Sequence, residues 1–348
     1  MECQKISGFI FDCDGTIYQP CGLIPGAEDT LTWLEQSGHS YVLLSNTGAK
    51  PKTALYDKLT TPGAFECRPG GRVLPQERCY TAADAQVDFL TSGHLPPASK
   101  LLVLAPNDEW AKMICRVNLS LFVSWEILSG SDMDVDTAKY WSRDAQARLE
   151  WELASSEVKT PNGKEPPKVA VVFFHDGPLA GDWSYELFHA MTILLSFGAE
   201  FIYTAEDATN PSLDERFPNT TFPVPGPGMF VEMLKKSMPP FSSGRCFCCG
   251  KGGNMGRRFM IDRAISMLKD QGHSGERDQI MIIGDRFNTD IRAGVLAGIK
   301  SCLLESGAHR LDFADEFPTD LPSYTVKSIA NIAPDLGQFV GKVVKSSI

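Results

Sequence analysis

Long apolar runs are missing from this chain. Stretches such as Val169–Phe174 and Ile280–Ile283 fall far short of the ~20 residues that span a bilayer. No basic segment followed by an apolar run opens the sequence Met1-Glu2-Cys3-Gln4-Lys5, so a secretory leader is not expected and the expected location is cytoplasmic. Cysteine is sparse for a disulfide scaffold, at 10 in 348 residues, and reduced thiols are expected. Positive charge is also short. Lys and Arg number 33 against 43 Asp and Glu, a net charge of −10. Such a balance argues against nucleic acid or an anionic membrane as partner.

What is present is an ordinary globular mix. Hydrophobic residues make up 43% and charged residues 22%, which excludes disorder along the whole chain. At ~100–200 residues per domain, the length suggests two domains. Gly8-Phe9-Ile10-Phe11 and Tyr41-Val42-Leu43-Leu44 read as buried strands. Helices are expected at Pro25–Ser37 and Pro51–Leu59. The far end repeats this order, with a helix over Arg257–Leu268, a strand at Ile280–Ile283, a helix over Asp290–Ala297 and a strand at Cys302–Leu304. Fully apolar strands alternating with helices predict a parallel sheet covered on both faces. Between the two ends, strands are expected at Lys100–Leu104, Lys168–Phe174 and Glu200–Tyr203, and helices at Thr137–Glu152 and Trp183–Phe197.

Four segments carry chemistry. Asp12-Cys13-Asp14-Gly15-Thr16 follows the first strand. Asp12 and Asp14 are two apart, so in extended backbone their carboxylates project to one side. One could serve as nucleophile and the other as general acid and base. Ser45-Asn46-Thr47-Gly48 follows the second strand and offers small donors for phosphate oxygens, although a helix cap explains the same residues. Gly250-Lys251-Gly252 places a lysine among glycines, a point charge for phosphate. It fails the nucleotide-binding P-loop pattern, which needs GxxxxGK followed by Ser or Thr. Gly284-Asp285-Arg286-Phe287-Asn288-Thr289-Asp290 brings two carboxylates that could share a hard divalent cation.

Spacing ties these segments together. Asp12 and Ser45 are 33 residues apart, and Lys251 and Asp285 are 34 apart, each about one strand–helix–strand unit. Ser45 and Lys251 are 206 apart, so a whole domain is inserted between them.

In order and spacing the four motifs resemble the haloacid dehalogenase-like (HAD) superfamily, and the insertion resembles its C2 cap group. Val169–Asp176, Asp207–Pro211, Pro225-Gly226-Pro227-Gly228, Gly250-Lys251 and Ser328-Ile329-Ala330 are similar to the phosphoglycolate, pyridoxal phosphate and 4-nitrophenyl phosphatase family. The resemblance spans nearly the whole chain. Cys246-Phe247-Cys248-Cys249-Gly250-Lys251-Gly252 departs from that family's apolar strand followed by Gly-Lys-Pro. Its cysteines read as buried thiols, since no second Cys pair or His pair would complete a zinc site.

The resemblance implies a Rossmann-like three-layer α/β/α core with a parallel sheet, from residues 1–97 and 223–348, interrupted by an α/β C2 cap at 98–222. It implies a phosphatase of small phosphomonoesters that uses Mg2+. Asp12 would be the nucleophile and Asp14 the acid and base. Ser45, Asn46 and Lys251 would bind phosphate. Asp12, Asp285, Asp290 and the main-chain carbonyl of Asp14 would hold the metal. Asp207 and Asn210 would face the site from the cap and influence substrate choice, with Asn210 equally explained as a turn residue before Pro211. The implied partners are a small phosphorylated metabolite and a second copy of the chain, bound through the cap in the homodimer common among relatives. The alternatives are a sugar or nucleotide phosphatase of the same mechanism, or a non-catalytic relative that only binds.

Overall fold

The computed structural model describes residues 6–20, 22–48, 50–61, 74–94, 100–105, 124–129, 169–173, 188, 191–192, 195, 199–214, 216–237, 246–252, 259–332 and 342–343. In chain order the strands are β1 Gly8–Asp12, β2 Tyr18–Gln19, β3 Gly22–Leu23, β4 Ser40–Ser45, β5 Cys79–Thr81, β6 Lys100–Ala105, β7 Ser124–Ser129 and β8 Val169–Phe173. They continue with β9 Glu200–Tyr203, β10 Thr209–Asp214, β11 Phe217–Pro225, β12 Cys246–Cys248, β13 Ile280–Gly284, β14 Lys300–Leu304, β15 Tyr324–Val326 and β16 Lys342–Val343. Helices are α1 Ala27–Gln36, α2 Lys52–Thr60, α3 Ala82–Thr91, α4 Pro227–Ser237, α5 Phe259–Asp270 and α6 Arg292–Ala297.

One sheet has the order β16-β15-β14-β13-β1-β4-β5. Six of its strands run parallel, and the edge strand β16 is antiparallel. Alternating residues of its central strands feed two separate cores. Ile10, Val42, Leu44, Ile280 and Ile282 pack with residues of α3, α5 and α6. Phe9, Phe11, Tyr41, Leu43, Met281 and Ile283 pack on the other face with Leu31 and Leu34 of α1 and Leu55 and Leu59 of α2. The apolar strands are thus buried on both sides, as a parallel sheet requires, and the three-layer expectation is met.

β1 lies between β13 and β4. The chain leaves β1 for β4 on one side and returns through β13 on the other. Open α/β sheets place their ligands at such a switch point, beyond the carboxyl ends of the strands. Asp12, Ser45 and Gly284 end these three strands.

A second, five-stranded parallel sheet has the order β12-β9-β8-β6-β7. Strands β6, β7, β8 and β9 of this sheet fall within residues 98–222, and β12 lies beyond them. The edge strand β12 pairs with β9, so the sheet closes at Cys248, just before Lys251. The reason is geometric: β12 extends the sheet beside β9, and Cys249 N–H continues the pairing to the Tyr203 carbonyl at 2.9 Å. Helix α3 joins the two sheets, since Phe89 meets Phe247 at 5.7 Å between ring centroids and the Gln86 amide donates to the Ile202 carbonyl.

The α3 and β5 elements and the β10–β11 hairpin were not expected from sequence. Asn210 and Pro211 lie in that hairpin's first strand rather than in a loop. The helix expected at Thr137–Glu152 lies outside the described residues. Of Trp183–Phe197, Phe188, Met191, Thr192 and Leu195 are described and helical. No helix of the described residues is long and apolar enough to cross a membrane.

Candidate active site

Asp12 ends β1, and the chain must then turn to bring Asp14 back over the strand. Gly15 makes that turn at φ 82°. A Cβ there would lie 2.2 Å from Asp285 Oδ2, so glycine also admits the carboxylate of the neighbouring strand. Beyond the turn, the Tyr18 hydroxyl donates to Asp14 Oδ2 at 3.0 Å. The Ser45 hydroxyl donates to the same oxygen at 3.1 Å. Burial, with Asp14 beside it, holds the Tyr18 phenol well above its ordinary value, so it remains a donor.

Lys251 Nζ sits between two carboxylates. It bonds Asp12 Oδ1 and Asp290 Oδ1, the latter at 2.6 Å. Burial alone would lower the lysine's pKa, but Asp12 and Asp290 outweigh it and the ammonium is held above its usual value. Asp290 is brought here by an i→i+5 turn, in which Ile291 N–H donates to the Arg286 carbonyl at 3.2 Å. Such turns are frequent at functional sites. The Arg286 N–H donates to Asp290 Oδ2 at 3.2 Å.

Asp285 completes the cluster. One oxygen accepts the Ala308 N–H at 2.7 Å. The other, Oδ1, is buried without a hydrogen-bond partner. Ligand oxygens of Asp12, Asp285 and Asp290 all lie within 4.8 Å of one another. Three buried carboxylates face one ammonium, an excess of negative charge that a low-dielectric site does not tolerate. Burial and Asp290 push the Asp285 carboxyl up to about 7, against the pull of Arg286. Burial, then Asp290, also raise the Asp12 carboxyl, while Lys251 opposes them. A divalent cation bound by oxygen ligands would offset this excess and give Asp285 Oδ1 its missing partner. The donor set therefore fits a hard metal.

Asn46 follows Ser45 and touches two segments. Its Oδ1 accepts the Lys251 backbone N–H at 2.8 Å. Its Nδ2 donates to Asp207 Oδ2 at 2.6 Å. Asp207 comes from the segment after β9, and its other oxygen is 3.6 Å from Arg286 Nη1. Arg286 Nη2 donates to the Thr209 carbonyl at 3.2 Å. Burial raises the Asp207 carboxyl, against Arg286, Lys251 and the Asn46 bond.

These residues open on a cleft of about 470 Å³. Asp12, Asp14, Asn46, Lys251 and Asp285 line it, as do Asp207 and Asn210 from the second sheet's side. Lys50, Lys58 and Arg286 add positive charge to the walls. Ser45 is fully buried beneath and meets Asp14 instead. Asp290 lies behind Lys251 and is 1% exposed. Sequence reasoning missed the roles of Tyr18 and Arg286. Arg286 stood inside the fourth motif, but only the fold brings Thr209 and Asp207 to it. No sequence signal marks Tyr18, whose contact depends on the Gly15 turn.

Fold and centre together bring buried carboxylates and one lysine to the carboxyl ends of a parallel sheet in an α/β protein. A family model described as haloacid dehalogenase-like hydrolase matches residues 9–117, and a related HAD-hydrolase-like model matches residues 256–332. A curated relative, the ribonucleotide monophosphatase NagD of Escherichia coli K12, is 30% identical over 329 residues, covering 94% of this chain and 99% of its own. Phosphoglycolate phosphatase 2 of Arabidopsis thaliana is 21% identical over 333 residues, with 94% of each chain covered. Among solved structures, a glycerol phosphate phosphatase from Mycobacterium tuberculosis in complex with magnesium superposes with a TM-score of 0.61 at 18% identity, covering 96% of this chain and 78% of that one. The chain belongs to the haloacid dehalogenase-like hydrolases.

Proposed function

We propose that this hydrolase is a Mg2+-dependent phosphatase of small phosphate monoesters that works through an aspartyl-phosphate on Asp12. The observation that carries this reading is the buried Asp12–Lys251–Asp290–Asp285 cluster at the sheet's switch point, with Asp14 two residues from Asp12 and facing the same cleft. A pure binding protein has no need of a paired nucleophile and acid.

In the first step a carboxylate oxygen of Asp12 attacks phosphorus, and the bond from phosphorus to the leaving oxygen breaks. Asp14 gives its proton to that oxygen. In the second step Asp14 takes a proton from water, whose oxygen attacks phosphorus. The acyl-phosphate bond breaks, and inorganic phosphate and the free Asp12 carboxylate return. Tyr18 and Ser45 hold Asp14 in place for both transfers. Asp12 must be ionised to attack, and Lys251 favours that form against the pull of burial. Lys251 and Asn46 would also meet the phosphate oxygens. Asp12, Asp285, Asp290 and the Asp14 main-chain carbonyl would hold Mg2+. When bound, the cation supplies neutralising charge for the transferring phosphoryl group.

Small substrates of the phosphoglycolate, pyridoxal phosphate or 4-nitrophenyl phosphate type suit a cleft of about 470 Å³. A nucleoside monophosphate is the second reading, favoured by the 30% identity to a ribonucleotide monophosphatase. The test is phosphate release from 4-nitrophenyl phosphate and a panel of phosphometabolites, with and without Mg2+. Mg2+-dependent turnover is expected. Its absence for every compound would sink the reading.

A further inference from the structure

The catalytic lysine stands on the strand-to-core return of the inserted unit, and its backbone is held by a two-bond chain that ends on that unit. Lys251 N–H donates to Asn46 Oδ1 at 2.8 Å, and Asn46 Nδ2 donates to Asp207 Oδ2 at 2.6 Å. The orientation of the Asn46 amide is fixed by its partners. A backbone N–H needs the amide oxygen and a carboxylate needs the amide nitrogen, so a flipped Asn46 would lose both bonds.

Asp207 itself has little freedom. Its residue is 8% exposed. Its second oxygen faces Arg286, whose other nitrogen is tied to the Thr209 carbonyl. The main chain around it is clasped as well. Gly228 N–H donates to the Asp207 carbonyl at 2.9 Å, and Gly226 N–H to the Ala208 carbonyl at 2.8 Å. A Cβ at Gly226 would lie 2.4 Å from the Asp207 carbonyl oxygen, and one at Gly250 would lie 2.7 Å from Asn46 Oδ1. These glycines let three segments converge at backbone distance around one carboxylate.

We infer that Asp207 is a positioning residue: a carboxylate carried by the inserted unit that sets Asn46, and through it Lys251, so that the phosphate cradle is complete only with that unit in place. It does so by hydrogen bonding, not by touching the leaving group. The kinetic half of the inference rests on the phosphatase reading, whereas the structural half does not. Supporting groups one step from a reacting centre are worth on the order of 10–100-fold in activity, and a fall in that range is expected for Asp207→Ala.

The test combines two measurements on Asp207→Ala and the milder Asp207→Asn, which keeps an acceptor for Asn46. First, amide hydrogen exchange is followed by mass spectrometry. The peptide containing Cys249–Gly252 should exchange faster in Asp207→Ala than in the parent, with Asp207→Asn between them. Peptides of β1 and β13 should be unchanged, which separates this effect from loss of the fold. Second, kcat/KM is measured with 4-nitrophenyl phosphate and with an alkyl phosphate such as glycerol phosphate. The loss should be the same for both leaving groups, and Asn46→Ala combined with Asp207→Ala should be no worse than Asn46→Ala alone. Unchanged exchange at Cys249–Gly252 overturns the inference, as does an additive double variant or a loss confined to one leaving group. A parent protein with no phosphatase activity would refute the function instead, and the exchange result would still decide the role of Asp207.

Discussion

Burial changes what each side chain at this centre can do. Lys251 is 2% exposed and bonded to two carboxylates, so truncating it would leave those charges buried without a counter-charge. Breaking a buried pair in this way typically costs about 3–5 kcal/mol. Lys251→Met is therefore expected to lose both activity and thermal stability, whereas Asp12→Asn should lose activity but keep its melting temperature within a few degrees. Thermal unfolding of the two variants checks this contrast. The cysteines follow the same logic with the opposite result. Burial pushes the thiols of Cys79 and Cys246 up to about 12. At pH 8 a thiol with that pKa is ~10⁻⁴ thiolate, and the thiolate is the reactive form. Native protein treated with iodoacetamide at pH 8 should stay unmodified at both positions, and labelling should rise as the pH approaches 12. Site-resolved mass spectrometry reads the outcome, and rapid labelling at pH 8 would contradict the burial argument. Cys246, Cys248 and Cys249 are free, buried thiols, as the sequence predicts.

At the scale of elements, glycines mark where segments must cross. Gly250 precedes the lysine, and a Cβ on it would sit 2.2 Å from the Thr204 carbonyl oxygen. Gly38, after α1, has φ 66° but open space around its Cβ position. Gly38→Ala should therefore cost only the left-handed backbone penalty, about 1 kcal/mol, with activity kept. Gly250→Ala must displace the backbone beside Asn46 and Lys251, and a shift near 1 Å at a reacting centre can cost on the order of 10²-fold. Equal effects of the two substitutions on kcat/KM would contradict this account. These elements also show what sequence could and could not reveal. β1, β4 and β13 were legible because strands buried on both faces are written as unbroken apolar runs. β5 was not, since Cys79-Tyr80-Thr81 is too short to show a period. The β10–β11 hairpin escaped because Pro211 and Pro223 argue against strands, and an isolated two-stranded hairpin tolerates them where a central strand would not. The resemblance puts the end of the insertion at residue 222, but β12 pairs with β9, a contact some 45 residues away that no local pattern encodes.

For the molecule as a whole, two sheets meet at one cleft, and segments that follow strands of both line it. The four motifs were legible because each follows a strand end and their spacing matches strand–helix–strand units. Their mutual bonds were not legible: Ser45 turns to Asp14, and Asn46 turns to Lys251 and Asp207. On the proposed reading, the carboxylates of Asp12, Asp285 and Asp290 form a site for a divalent cation. Ligand at 100 times its dissociation constant stabilises a protein by about 2.7 kcal/mol, so Mg2+ should raise the melting temperature of the parent. That rise should largely vanish in Asp285→Asn, and adding a chelator should remove both the rise and the turnover. An Asp285→Asn variant that responds to Mg2+ like the parent would rule out this metal site. The central claim is that Asp12 carries the phosphoryl group. It is tested most directly in Asp14→Asn, mixed with 4-nitrophenyl phosphate and Mg2+ and quenched in acid within milliseconds to seconds. Nitrophenolate leaves without needing a proton, so the first step survives, while the second lacks its base and the intermediate should accumulate. Mass spectrometry of the digest should find a phosphoryl group on Asp12, absent when Asp12→Asn is added. Nitrophenolate and free phosphate released together with no phosphoryl group on Asp12, or a phosphoryl group on another residue, would contradict the mechanism.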